Sequence, residues 1–99
     1  MRILWSAQAL NGLDKIHAYI RKHFSKTLAD QKCEEILHRV ELLGAFPYSG
    51  SIDTALGQLG LDHRSVIKGP TRIVYRVINE EELLITHVMD TRMGEEGYK

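Results

Sequence analysis

Two apolar stripes of helical spacing, separated by only a few residues, constrain this chain more than any other feature. The first runs through Leu10, Leu13, Ile16, Ile20 and Phe24 at intervals of three and four, and Ser6 stands before it as an N-cap. The second places Ala29, Cys33, Ile36, Leu37, Val40 and Leu43 on one face. It opens with Thr27 and Asp30 at capping-box spacing and closes with Gly44 in a C′ position ahead of Pro47. So short a connection, around Ser25-Lys26, folds the helices back on each other and turns both stripes toward one core. Asn11-Gly12 is a hairpin signal within the first stripe. Its flanks lack period-two alternation, so the glycine reads as a helix penalty of about 1 kcal/mol.

Strand signals lie outside this pair. Arg2-Ile3-Leu4-Trp5 is short, apolar and β-prone. Residues 47–62 carry three glycines and no sustained period, which predicts a long loop with at most a helical turn, the kind of segment that is often functional. Three strand-like runs follow at 63–68, 72–78 and 83–89, joined by turns at Gly69-Pro70-Thr71 and Asn79-Glu80-Glu81-Glu82. The expected architecture is β-α-α-β-β-β, an α+β domain with a helix hairpin on one face of an antiparallel sheet. With 99 residues, this is a single domain over 1–99.

Thirteen Lys plus Arg balance thirteen Asp plus Glu, so global charge does not favour tight non-specific phosphate binding. The charge is nevertheless uneven. Between His63 and Ile78 stand Arg64, Lys68, Arg72 and Arg76 with no acidic residue. Alternation sends Ile73, Tyr75 and Val77 one way and Arg72, Val74 and Arg76 the other. One reading is a concave cationic sheet face for phosphates or carboxylates; the other is solvated strand edges carrying weak Arg–Glu pairs. His87 falls in phase with Leu83, Ile85 and Met89, which suits a core or boundary histidine better than a general base. The five histidines and the single Cys33 show no zinc-ligand spacing, and neither a metal nor a cofactor is expected. With one cysteine, no signal-peptide pattern and no apolar run of about 18 residues, a cytoplasmic setting without a membrane is expected.

Several strings in order resemble the RelE/ParE superfamily of bacterial type II toxins over nearly the whole chain. Trp5-Ser6-Ala7-Gln8-Ala9 with Leu13, Ile16 and Tyr19-Ile20 is similar to the family's first strand and helix. Phe46-Pro47-Tyr48-Ser49-Gly50 resembles its Phe-Pro-x-x-Gly corner, Arg72-Ile73-Val74-Tyr75-Arg76-Val77 its central strand, and Arg92-Met93 the pair after its last strand. The resemblance implies a plasmid-stabilization type of toxin that arrests growth and is neutralised by a cognate antitoxin, with a dimer within the complex as one arrangement. ParE-like members inhibit DNA gyrase; RelE-like members cut mRNA on the ribosome. For a nuclease, the carried-over residues are Arg72, Arg92 and Tyr98; for target binding they are Arg64, Arg72, Arg76 and Arg92. The chain departs from the nuclease pattern at His63 and Ser65, where lysines are usual, at Asp90, where a histidine is common, and at Ser51, where an arginine is. Together with the long helices and zero net charge, these place it closer to ParE. The alternatives are a RelE-like mRNA endonuclease and a non-toxic binding module of the same fold.

Overall fold

A computed structural model describes residues 1–52 and 62–93. In order, the elements are β1 (Arg2–Trp5), α1 (Ala7–His23), α2 (Lys26–Ala45), β2 (Ser51–Ile52), β3 (Arg64–Lys68), β4 (Thr71–Val77) and β5 (Glu82–Asp90). Ser6 caps α1 as expected, its Oγ accepting from the Ala9 amide at 3.0 Å. The cap of α2 is Ser25 rather than Thr27: Ser25 is extended and its Oγ accepts from Leu28 N at 3.0 Å, so the helix begins earlier. Gly44 does not stop α2, which runs on to Ala45 and ends where Phe46 N bonds Leu42 O.

The five strands form one sheet in the order β1-β5-β4-β3-β2. The meander β3-β4-β5 is antiparallel, as the short turns require. Gly69 opens the β3–β4 turn at φ 60°, a conformation open to glycine. Two features depart from the sequence reading. β1 joins the far side of β5 and runs parallel to it, making the sheet mixed. Ser51 and Ile52, assigned to the long loop, pair with Ser65 and Arg64 as an edge strand; the rest of that loop call, residues 53–61, lies outside the described residues.

The helix hairpin covers one face. Ala9, Ile16 and Ile20 of α1 and Ala29, Ile36, Val40 and Leu43 of α2 meet Val66, Ile73, Tyr75, Leu83, Ile85 and Val88 of the sheet. Three stripe residues named from periodicity, Leu10, Leu37 and Phe24, stand exposed instead. Ile16 and Ile20 hold their expected places and Leu13 packs partly against the core, but in the first turn of α1 Ala9 rather than Leu10 faces the sheet, in line with Gly12. Gly12 explains why: a Cβ there would lie 2.2 Å from Val88 O, so α1 approaches the β5 backbone where only glycine fits. The residue that looked like a helix penalty is the contact point between the layers.

Candidate functional site

The central strand β4 sets the geometry of the sheet face turned away from the helix hairpin. Residues paired directly across a sheet share a face, so register groups the side chains into rows. Ile73 and Tyr75 point into the core, which sends Arg72, Val74 and Arg76 to the opposite side. The row of Arg72 contains Ile67 and Met89, that of Val74 contains Ser65 and His87, and that of Arg76 contains Leu84 and, beyond it, Leu4. Arg72 and Arg76 are both half-buried and bracket Val74, which is only 2% exposed. Four residues of strand separate their Cα atoms by about 13 Å. The Arg76 Nε is fully enclosed and has no hydrogen-bond partner among the described residues.

His87 reaches this face because of a β-bulge. Val74 pairs with His87 but Tyr75 pairs with Ile85, which leaves Thr86 as the extra residue. One extra residue reverses the phase of β5: Leu83 and Ile85 face the core before it, Val88 and Asp90 after it. The expectation that His87 shares a face with Leu83 and Ile85 therefore fails. Thr86 Oγ1 donates to Val74 O at 3.2 Å, and its 3.0 Å contact with His87 Nδ1 must use the imidazole as donor. Nε2 is then the basic nitrogen of the neutral ring.

Arg64 is not on the face turned away from the helices. It pairs with Tyr75, on the helix side, and is committed to the corner that follows α2. Its Nη1 donates to Gly50 O at 2.9 Å and its guanidinium lies over the Tyr48 ring, 5.1 Å from the centroid. Beneath it the buried Tyr75 hydroxyl accepts from Gly50 N at 2.9 Å and donates to Pro47 O at 2.8 Å. Gly50 has no room for a side chain, since a Cβ would sit 2.6 Å from that hydroxyl. The Phe-Pro-x-x-Gly corner is thus a lock on the end of α2, and it leaves Phe46 and Tyr48 in solvent.

Arg92 and Lys68 also lie on the helix side. Asp90, 1% exposed, accepts from Arg92 N at 2.8 Å and Nε at 3.2 Å through Oδ1 and from Nη2 at 2.9 Å through Oδ2. Hydrogen bonding to this carboxylate raises the Arg92 pKa further above its ordinary value. Asp90 and Arg92 line a cleft of about 320 Å3 with Lys32, Glu35, Lys68 and the Gly69-Pro70 turn. The single cationic face anticipated for Arg64, Lys68, Arg72 and Arg76 is therefore divided, with only Arg72 and Arg76 on the side away from the helices. Tyr98 lies outside the described residues. The Asp90–Arg92 pair was missed by the sequence reading, although an acid two residues before an arginine at a strand end was the available signal. Among the described residues no group of three metal-binding side chains converges, and no helix is long and apolar enough to cross a membrane.

With this geometry in hand, residues 3–94 match the family described as ParE toxin of type II toxin-antitoxin system, parDE. A solved structure titled "Chromosomal ParDE TA system from P. aeruginosa" superposes with a TM-score of 0.74 at 21% identity, over 89% of this chain and 92% of that one. No curated protein sequence gives a match.

Proposed function

The chain belongs to the ParE toxin family of type II toxin–antitoxin systems, and from that premise we propose that it arrests growth in the cytoplasm by binding and inhibiting DNA gyrase. A protein target is supported by the composition of the face opposite the helices: two arginines stand among Leu4, Ile67, Leu84 and Met89. Arginine set in apolar area is the make-up of a protein interface, whereas a groove for nucleic acid tracks the phosphates with cations along its length. Ser65 sits near the middle of the face where a nuclease of the superfamily would carry a lysine, and the chain has no net charge. The cognate antitoxin is the second partner. An extended segment with acidic groups reaching Arg72 and Arg76 suits the same face, so that antitoxin and target compete for it and binding weakens with salt.

One observation favours a second reading, cleavage of mRNA: the bulge brings His87 onto the face of Arg72 and Arg76 with Nε2 as its base. Against it, Arg92 sits across the sheet, bound to Asp90. The deciding experiment assays the purified protein for inhibition of gyrase supercoiling and for mRNA cleavage in a translation reaction. Gyrase inhibition that is lost in Arg72→Ala and Arg76→Ala but kept in His87→Gln supports the proposal. Codon-phased cuts abolished by His87→Gln would replace it with the nuclease reading.

A further inference from the structure

A sheet ends at its edges, and β1 is the longer described edge here. On its inner side the even-numbered backbone groups face β5: Arg2 N donates to Glu81 O at 2.7 Å and Ser6 N to Ile85 O at 3.0 Å. By alternation the N–H and C=O groups of Ile3 and Trp5 point outward, where no strand of the described residues pairs. Natural edges are guarded by lysine, proline, a bulge or brevity. β1 has none of the first three, and it is twice the length of the opposite edge, β2. Its outer rim is apolar, with Met1 and Leu4 40% and 36% exposed and Ile3 and Trp5 only half-buried. Its one charged side chain, Arg2, is already paired with Glu82.

That charge balance selects the occupant. Along β1 an acidic partner segment would find no unmet side-chain cation, and only the Met1 amino group at its end, whereas an apolar strand with its side-chain charge satisfied would fit it, and β1 itself is such a strand. We propose that β1 pairs antiparallel with β1 of a second copy of this chain, about a two-fold axis perpendicular to the sheet and passing beside Leu4. In that register Ile3 of each copy exchanges both backbone hydrogen bonds with Trp5 of the other. Leu4 meets Leu4 on the face away from the helices, and Arg2 lies opposite Ser6 rather than another arginine. Shifting the axis to Ile3 would leave Trp5 without a strand partner within β1 and set Arg2 against Leu4. The interface is isologous and closes as a dimer. It joins two sheets into one and sets the Arg72–Arg76 faces of both copies on the same side.

Leu4→Cys in a Cys33→Ser background tests the register. Opposed residues in a non-hydrogen-bonded antiparallel pair lie about 4.5 Å apart at Cα, within disulfide range. Under mild oxidation Leu4→Cys is expected to convert to a disulfide dimer far faster than Ile67→Cys, whose exposed side chain sits on β3. The unmodified chain is expected to sediment at twice the mass of the 11.3 kDa protomer, and Leu4→Glu, which opposes two carboxylates, at the protomer mass with an unchanged circular dichroism spectrum. Sedimentation of the unmodified chain as a monomer at every concentration would overturn the proposal, as would equal crosslinking of the two cysteine variants. A shift to dimer mass only when the antitoxin is added would assign the edge to the antitoxin and overturn it equally.

Discussion

Removing one oxygen from the core, in Tyr75→Phe, tests whether the corner after α2 is held from beneath. The ring of Tyr75 is fully buried and its hydroxyl is the sole link between β4 and residues 47–50 among the described hydrogen bonds of that side chain. Phenylalanine keeps the ring and therefore the packing, so the loss is confined to two hydrogen bonds. Gly50 is buried, and its amide would be left without a partner, a cost of about 1–3 kcal/mol. Pro47 is half-buried and its carbonyl can turn to water, so that bond is worth about 0.5–1.5 kcal/mol. Together these amount to about 1.5–4.5 kcal/mol, which in a domain of this size lowers the thermal midpoint by about 6–36 °C. Thermal unfolding of the purified protein followed by circular dichroism measures it, and amide exchange localises it, since Gly50 N–H should lose its protection. A midpoint within about 4 °C of the parent would refute the account. It would mean that Arg64 and the α2 cap hold the corner without Tyr75.

Gly12→Ala should destabilise despite a gain in helix propensity of about 1 kcal/mol, because the new methyl meets Val88 O and α1 must lift off β5; a higher midpoint would show that the helix yields freely. Arg92→Ala strips a buried carboxylate of its ion pair and should cost about 1–3 kcal/mol, discounted because the arginine end is half-exposed, whereas Arg72→Ala on the face away from the helices should cost less than about 1 kcal/mol. Chemical denaturation of the two variants, compared side by side, checks that order. Asp30 accepts from Lys26 at 2.8 Å and lies 2.7 Å from His17 Nε2, and these contacts, Lys26 first, hold its carboxyl below the ordinary aspartate range. A lowered folded pKa gives stability that is present above the unfolded value and lost as pH falls through the folded one. Acid titration of stability should therefore be shallower in Asp30→Asn than in the parent, and parallel curves would remove Asp30 from the acid response.

Much of the candidate site was legible as chemistry and little of it as place. That Arg72 and Arg76 share a face followed from period two within one strand, because β4 is regular from Ile73 to Val77 on its core side. The grouping of Arg64 and Lys68 with them did not hold, because a neighbouring strand carries its own phase. Arg64 pairs with Tyr75, and Lys68 with Thr71, so both fall on the helix side. His87 was misplaced for a related reason: Thr86 bulges out of β5, and nothing in Leu-Ile-Thr-His-Val marks an insertion of one residue. The corner motif was visible as Phe46-Pro47 and Gly50, but its purpose appears only when Tyr75, 25 residues on, reaches under it.

The amino-acid sequence by itself determined the helix hairpin and the meander, since both are written in local periodicity, caps and turns that need no distant partner. Only the tertiary structure decided that β1 lies parallel to β5 at an edge, that α1 docks through Gly12, and that the basic residues divide between two faces. Those outcomes depend on register and close approach between segments far apart in the chain. A shift of one residue in pairing sends a side chain to the opposite face without altering the composition or the hydrophobic period of either strand.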